Sequence, residues 1–143
     1  MSNSILPEGV YPVATNPGAL DAPFWEATRR EELRIQRCTD CGRFQWGPEH
    51  ICHHCHSFAL EFARVEPTGR IFSWERVWHP AKPELSDHVP FVIVLVELDG
   101  TPGIHLIGNL AGDQEATVEI GTPVRARFEH HDDYTLVQWE RDS

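Results

Sequence analysis

Four cysteines fall within 18 residues, arranged as two Cys-x-x-Cys pairs, Cys38-Thr-Asp-Cys41 and Cys52-His-His-Cys55, with ten residues between them. Each pair can close a tight knuckle whose two sulfurs converge, and two knuckles on adjacent hairpins can share one ion. Gly42 directly follows the first pair, where a knuckle turn commonly needs a residue tolerant of positive φ. Two local disulfides or four reduced thiols are the alternatives. A reducing compartment disfavours the first, and the second leaves the paired spacing unexplained. The spacing predicts a metal site made of Cys38, Cys41, Cys52 and Cys55. Zinc is the expected ion, although iron fits the same four-sulfur geometry. Four thiolates leave no open coordination position, so the expected role is structural. A module this small cannot bury enough surface to fold unaided, so metal binding should supply its folding free energy. His50, His53, His54 and His56 crowd the second knuckle. One of them could replace a cysteine as ligand, but exposed polar neighbours are the simpler expectation.

The chain has 143 residues, enough for one ordinary domain or for a mini-module joined to a slightly larger one. No apolar run approaches the ~20 residues that span a bilayer, so no membrane span is expected. The opening MSNSILPEGVYP has neither a basic region nor a long apolar core. The expectation is no secretory signal and a cytoplasmic location. The formal net charge is −10. Residues 1–64 carry 6 basic and 8 acidic side chains, and residues 65–143 carry 6 and 14. A protein that grips a phosphate backbone needs a basic footprint. The second half has the opposite, so no nucleic-acid partner is expected.

Residues 1–20 contain Pro7, Pro12, Pro17, Gly9 and Gly18, which predicts an extended or poorly ordered arm. Asp21 is a candidate N-cap with Pro23 in the first turn, and Phe24–Glu32 has helical composition. A helix so short needs Phe24 and Trp25 to dock on something. Leu33–Cys38 alternates as a half-buried strand, with Phe44–Trp46 as its return arm. Leu60–Val65 is a further strand. After Pro67-Thr-Gly69 come Arg70–His79, Phe91–Leu98, Ile104–Leu110, Val124–Glu129 and Tyr134–Glu140. Alternation in Arg70–His79 places Phe72, Trp74, Arg76 and Trp78 on one face. Phe91–Leu98 is almost wholly apolar and should be buried on both faces. His130–Asp133 reads as a turn. Five strands in about 75 residues suit a small closed or partly closed barrel. The predicted organisation is an arm over 1–20, a helix and metal module over 21–66, and a barrel over 67–143. The fold class is mainly β.

No GxSxG, P-loop, HExxH or GxGxxG motif occurs. With all four cysteines on a metal, no thiol remains as a nucleophile. No catalytic residue is therefore assigned. Trp74, Trp78 and His79, together with Phe91, Phe24 and Trp25, are the candidates for a substrate or partner surface. Core and interface packing is the simpler account of these aromatics.

The order of these features resembles the OB-fold proteins with an N-terminal rubredoxin-like zinc ribbon that accompany thiolase-type enzymes in bacteria and archaea. The resemblance rests on FWEATRREELRIQRC, on Cys38-Thr-Asp-Cys41-Gly42 and on Pro48…Cys52-His-His-Cys55-His-Ser57. It continues through Gly69-Arg-Ile-Phe-Ser73, Val89-Pro-Phe91 running on to Gly100, and Ile120-Gly-Thr-Pro-Val124, and covers residues 21–141. It implies a zinc ribbon followed by a five-stranded OB-fold barrel, with zinc on Cys38, Cys41, Cys52 and Cys55. It also implies a hetero-oligomer with a thiolase-like catalytic subunit that acts on acyl-CoA thioesters by thiolysis, condensation or retro-aldol cleavage. The small subunit would support assembly and hold the CoA ester. Some family members work instead with hydratase-type domains. Arg34, Arg37 and Arg43 near the ribbon are candidate sources of positive charge for the CoA phosphates.

Two other readings remain open from sequence. A single-stranded nucleic-acid module could use an aromatic barrel face to stack bases, against the acidity of residues 65–143. A rubredoxin-like electron carrier would hold iron in the same cysteines.

Overall fold

A computed structural model of the chain describes residues 4–10 and 16–142. The arm expected over residues 1–20 thus falls partly outside the described residues, at 1–3 and 11–15. Helix α1 spans Ala22–Arg29. Asp21 stands at its N-cap but makes no side-chain capping bond. Its carboxylate instead accepts the indole N–H of Trp25 at 3.0 Å. The helix ends three residues before the composition suggested. Arg30 is its C-cap, and Glu31 turns into the left-handed region at φ 60°.

The chain then builds two sheets. Strands β1 (Leu33–Cys38), β2 (Phe44–Gln45) and β3 (Leu60–Val65) form an antiparallel sheet in the order β2-β1-β3. Strands β4 (Thr68–Val77), β5 (Phe91–Leu98), β6 (His105–Asn109), β7 (Pro123–His130) and β8 (Thr135–Arg141) follow. They form a second sheet in the order β6-β5-β4-β7-β8. Its two edge strands approach through one parallel bridge, Leu110 with Trp139, rather than a full ladder. A 3-10 turn over Pro83–His88 interrupts the loop between β4 and β5.

The two sheets share one core. Leu33 and Ile35 of the ribbon belong to the same buried cluster as Ile71, Val92, Val94, Val96 and Trp139. Phe24 joins it from α1 at 4% exposure. Docking of this helix supplies what eight residues lack in intrinsic stability.

Two patterns differ from the sequence reading. Ile71 pairs with Val96 but Ser73 pairs with Leu95, so Phe72 is the extra residue of a β-bulge. A bulge reverses which residues face the core downstream of it. Trp74 pairs with the buried Val94, whereas Phe72 stacks on His105 at 4.2 Å. The aromatics therefore do not form one face, and Trp78 and His79 lie beyond the strand. In β5, the face of Val92, Val94, Val96 and Leu98 is fully buried. On the other face Phe91 is buried, Ile93 and Leu95 are half-buried and Glu97 is exposed.

Candidate functional site

The two knuckles are built alike. Gly42 N–H donates to the Cys38 carbonyl at 2.8 Å, and His56 N–H donates to the Cys52 carbonyl at 3.1 Å. Gly42 has φ 79° as its position predicted, and His56 occupies the matching place at φ 61°. The four Sγ atoms lie within 4.8 Å of one another. Cys38 and Cys55 are 3.6 Å apart, as are Cys41 and Cys52. A tetrahedron with metal–sulfur bonds of ~2.3 Å has sulfurs about 3.8 Å apart, so the geometry fits one four-coordinate ion.

Backbone N–H groups favour the thiolates that such an ion needs. The N–H of Cys41 points at Cys38 and holds its thiol below the ordinary range. The N–H of Cys55, with that of His54, lowers Cys52 to about 6. Cys55 is pushed up to about 12: the Ser57 N–H draws it down, but desolvation and the surrounding sulfurs outweigh that bond. Four negative sulfurs cannot coexist so closely unaided, and a divalent cation is the charge that completes the set. Cys38 and Cys52 are buried, while Cys41 and Cys55 are exposed. Among the described residues this is the only group of His, Cys, Asp or Glu with metal-ligand spacing.

Alternation in β1 predicts an outward Gln36, yet Gln36 is 3% exposed and Gln45 4%. They face each other across β1 and β2. Gln45 Nε2 donates to Gln36 Oε1 at 2.6 Å, and Gln36 Oε1 also accepts the Glu49 N–H at 3.0 Å. Gln45 Oε1 accepts the His53 N–H at 2.9 Å. These amides fix the segment that carries Cys52. Nothing in local sequence marks them, because their backbone partners are 6 to 13 residues away.

A cleft of about 430 Å³ opens beside the β6–β8 seam. Phe24, Trp25 and Phe91, three of the six candidate surface residues, line it together with Trp46. Trp74, Trp78 and His79 do not. Trp74 instead lies under the Arg76 guanidinium, 5.3 Å from its ring centre. The polar lining contains a pair that the sequence pattern divides between the end of a strand, Glu129, and a turn, His131. Glu129 and His131 meet at 2.9 Å, with side chains 3% and 8% exposed. Of the ribbon arginines, Arg34 is paired with Glu32 and Arg37 with Glu61. Arg43 contacts His54 Nδ1 at 2.6 Å.

Two family models match in succession. The ChsH2 rubredoxin-like zinc ribbon domain covers residues 25–61, and the ChsH2 C-terminal OB-fold domain covers residues 63–129. This chain belongs to the ChsH2 (DUF35) family. A solved structure described as "Ltp2-ChsH2(DUF35) aldolase" is 32% identical, with a TM-score of 0.76. The match covers 92% of this chain and 98% of that one. A DUF35 structure of unknown function from Sulfolobus solfataricus, 16% identical with a TM-score of 0.59, shares the fold. The match to it covers 87% of each chain.

Curated relatives are longer. A "3-oxo-4,17-pregnadiene-20-carboxyl-CoA hydratase alpha subunit" of Mycobacterium tuberculosis is 37% identical over 119 residues, 83% of this chain and 37% of that protein. A "Probable enoyl-CoA hydratase alpha subunit" of Thermomonospora curvata is 38% identical over 105 residues, 73% of this chain and 32% of that protein. The chain thus spans about a third of the length of these two relatives. A "DUF35 domain-containing scaffold protein" of Methanocaldococcus jannaschii is 27% identical over 93 residues, 64% of each protein. The chain is mainly β, a ribbon followed by an OB-fold, as its resemblance implied. No helix among the described residues is long and apolar enough to cross a membrane.

Proposed function

We propose that this ChsH2-family chain is a non-catalytic subunit that assembles with a thiolase-like catalytic partner and helps hold an acyl-CoA thioester. The observation that carries the reading is the likeness to the DUF35 chain of an aldolase, 32% identical over nearly all of that chain. Relatives named as alpha subunits of CoA-ester hydratases support the substrate class. In this reading Cys38, Cys41, Cys52 and Cys55 hold zinc. The ion closes the ribbon, and four thiolates leave no position for a reacting water. The ribbon and barrel then present a rigid surface built on one shared core, and the reacting groups belong to the partner. The setting is a reducing cytoplasm, where the thiolates persist.

Coexpression with a thiolase-like protein tests this. The expected result is a stable hetero-oligomer, with acyl-CoA cleavage or condensation that the large subunit lacks alone. A large subunit that is fully active and stable alone, and gains nothing from this chain, would sink the reading. Iron would announce itself by a visible charge-transfer spectrum, and a colourless protein containing zinc removes the electron-carrier alternative.

A further inference from the structure

The cleft beside the β6–β8 seam is lined mostly by aromatic and aliphatic side chains, with a small polar group among them. Phe24, Trp25 and Trp46 form an aromatic wall, and Phe24 packs 5.0 Å from Trp25 and 4.7 Å from Trp46 between ring centres. Phe91 and Ile93 of β5 line it from the sheet. Its size, about 430 Å³, lies in the range of small-molecule sites.

The polar lining is organised. Glu129 Oε2 faces His131 Nε2 at 2.9 Å, and Gln138 Nε2 donates to the same oxygen at 3.5 Å. Glu129 Oε1 accepts the Ile5 N–H at 2.8 Å, which ties the N-terminal segment to the barrel beside the lining residues Leu6 and Pro7. The carboxylate is thereby committed. His131 in turn stacks on Tyr134 at 4.7 Å. Tyr134 is 9% exposed and lines the cleft, and its hydroxyl makes no hydrogen bond to any described residue. Among the described residues neither lysine nor arginine lines the cleft, and the acid that does is Glu129. Such a lining repels phosphate and favours flat apolar rings.

We propose that this cleft binds a flat, apolar ring system that bears one hydrogen-bonding oxygen, with the rings against Phe24, Trp25 and Trp46 and the oxygen toward Tyr134. Assigning those rings to the acyl group of a thioester rests on the function proposed above. The phosphates of the CoA then lie outside the cleft. Leu6, Pro7 and Gly9 complete the site, held there by the Ile5 bond to Glu129.

The test uses the zinc-loaded full chain with 2-naphthol, naphthalene, 2-naphthoyl-CoA and CoA, followed by tryptophan emission and by equilibrium dialysis. Both 2-naphthol and its thioester counterpart should bind saturably and displace each other, and CoA alone should not compete. Ile93→Trp, at a half-buried position on the wall, should weaken 2-naphthol at least tenfold. Phe72→Ala, outside the cleft, should leave it unchanged. Tyr134→Phe should weaken 2-naphthol about fivefold and leave naphthalene unaffected. A thioester that binds tighter than 2-naphthol supports the acyl assignment, and the reverse order overturns that assignment while keeping the site. Absence of saturable ring binding, competition by CoA alone, or full binding by Ile93→Trp overturns the site itself. None of these readouts needs a catalytic partner, so the outcome is separable from failure of the assembly.

Discussion

Gly108 packs against the Cδ1–Nε1 edge of the Trp139 indole. A Cβ placed on Gly108 would fall 2.9 Å from Trp139 Cδ1 and 2.6 Å from the Val137 carbonyl oxygen. This contact lets β6 approach β8 where the ladder between them is reduced to one bridge. Trp139 is fully buried, so neither partner can retreat toward solvent.

Gly108→Ala should therefore destabilise the fold by about 2 kcal/mol, the usual range for an overpacked core. Urea unfolding followed by tryptophan emission measures it. A change below about 0.5 kcal/mol, the scatter of neutral substitutions, would show that the seam yields and that the close approach is not structural.

Gln45→Ala removes the acceptor of the His53 N–H and the donor to Gln36. The His53 N–H lies in a partly buried bond, so leaving it unpaired should cost about 1 kcal/mol, the low end of the range for a lost acceptor. The loss should fall on the ribbon: weaker metal retention in a competition with a chromophoric chelator, with the barrel strands unchanged in amide exchange. Gln45→Glu, which keeps the acceptor and loses the donor, should fall between the two. Equal metal retention by wild type and Gln45→Ala would refute the positioning role.

Removing the ion should separate the two sheets in stability. Excess chelator, or Cys38→Ser, is expected to unfold residues of β1–β3 and to leave much of the β4–β8 sheet protected, since that sheet carries most of the shared core. Trp25 and Trp46 emission should shift to longer wavelength as Phe24 loses its packing. Bound metal at one equivalent in Cys38→Ser would disprove the four-sulfur site.

Acid should release the metal, and the sign follows from the cysteines. Backbone N–H groups lower Cys38 and bring Cys52 to about 6, whereas Cys55 is pushed up to about 12 and gives up its proton only when the ion binds. A depressed folded value gives stability that is present above the unfolded thiol range, near 8.5, and lost as pH falls through the folded value. A bound cation lowers the thiols further. The release midpoint, read by a metal-indicator dye across a pH series, should lie below about 6. Release that begins near 8 would mean that protonation of Cys55, rather than of Cys38 and Cys52, sets the loss of metal.

Much of the scaffold is legible in the amino-acid pattern alone. Leu33–Cys38, Leu60–Val65 and Phe91–Leu98 coincide with β1, β3 and β5 because each is bounded by local turn chemistry or by a knuckle. The bulge at Phe72 is not legible there. It depends on how β4 registers against β5, and one extra residue inverts the expected facing of Trp74. The polar pairs Gln36–Gln45 and Glu129–His131 are invisible for a related reason. Each reads locally as ordinary polar sequence, and burial by a distant element gives it meaning.

The sequence by itself determined the four cysteines spaced to hold a metal ion, the order of ribbon and OB-fold, and the acidity of residues 65–143. Those properties are local: spacing between cysteines, period along a strand, charge per segment. The tertiary structure decided which aromatics meet. Phe24, Trp25 and Phe91 come together in one cleft, while Trp74 and Trp78 do not line it. That choice follows from strand register, a bulge and the docking angle of α1, which are set by packing between residues far apart in the chain.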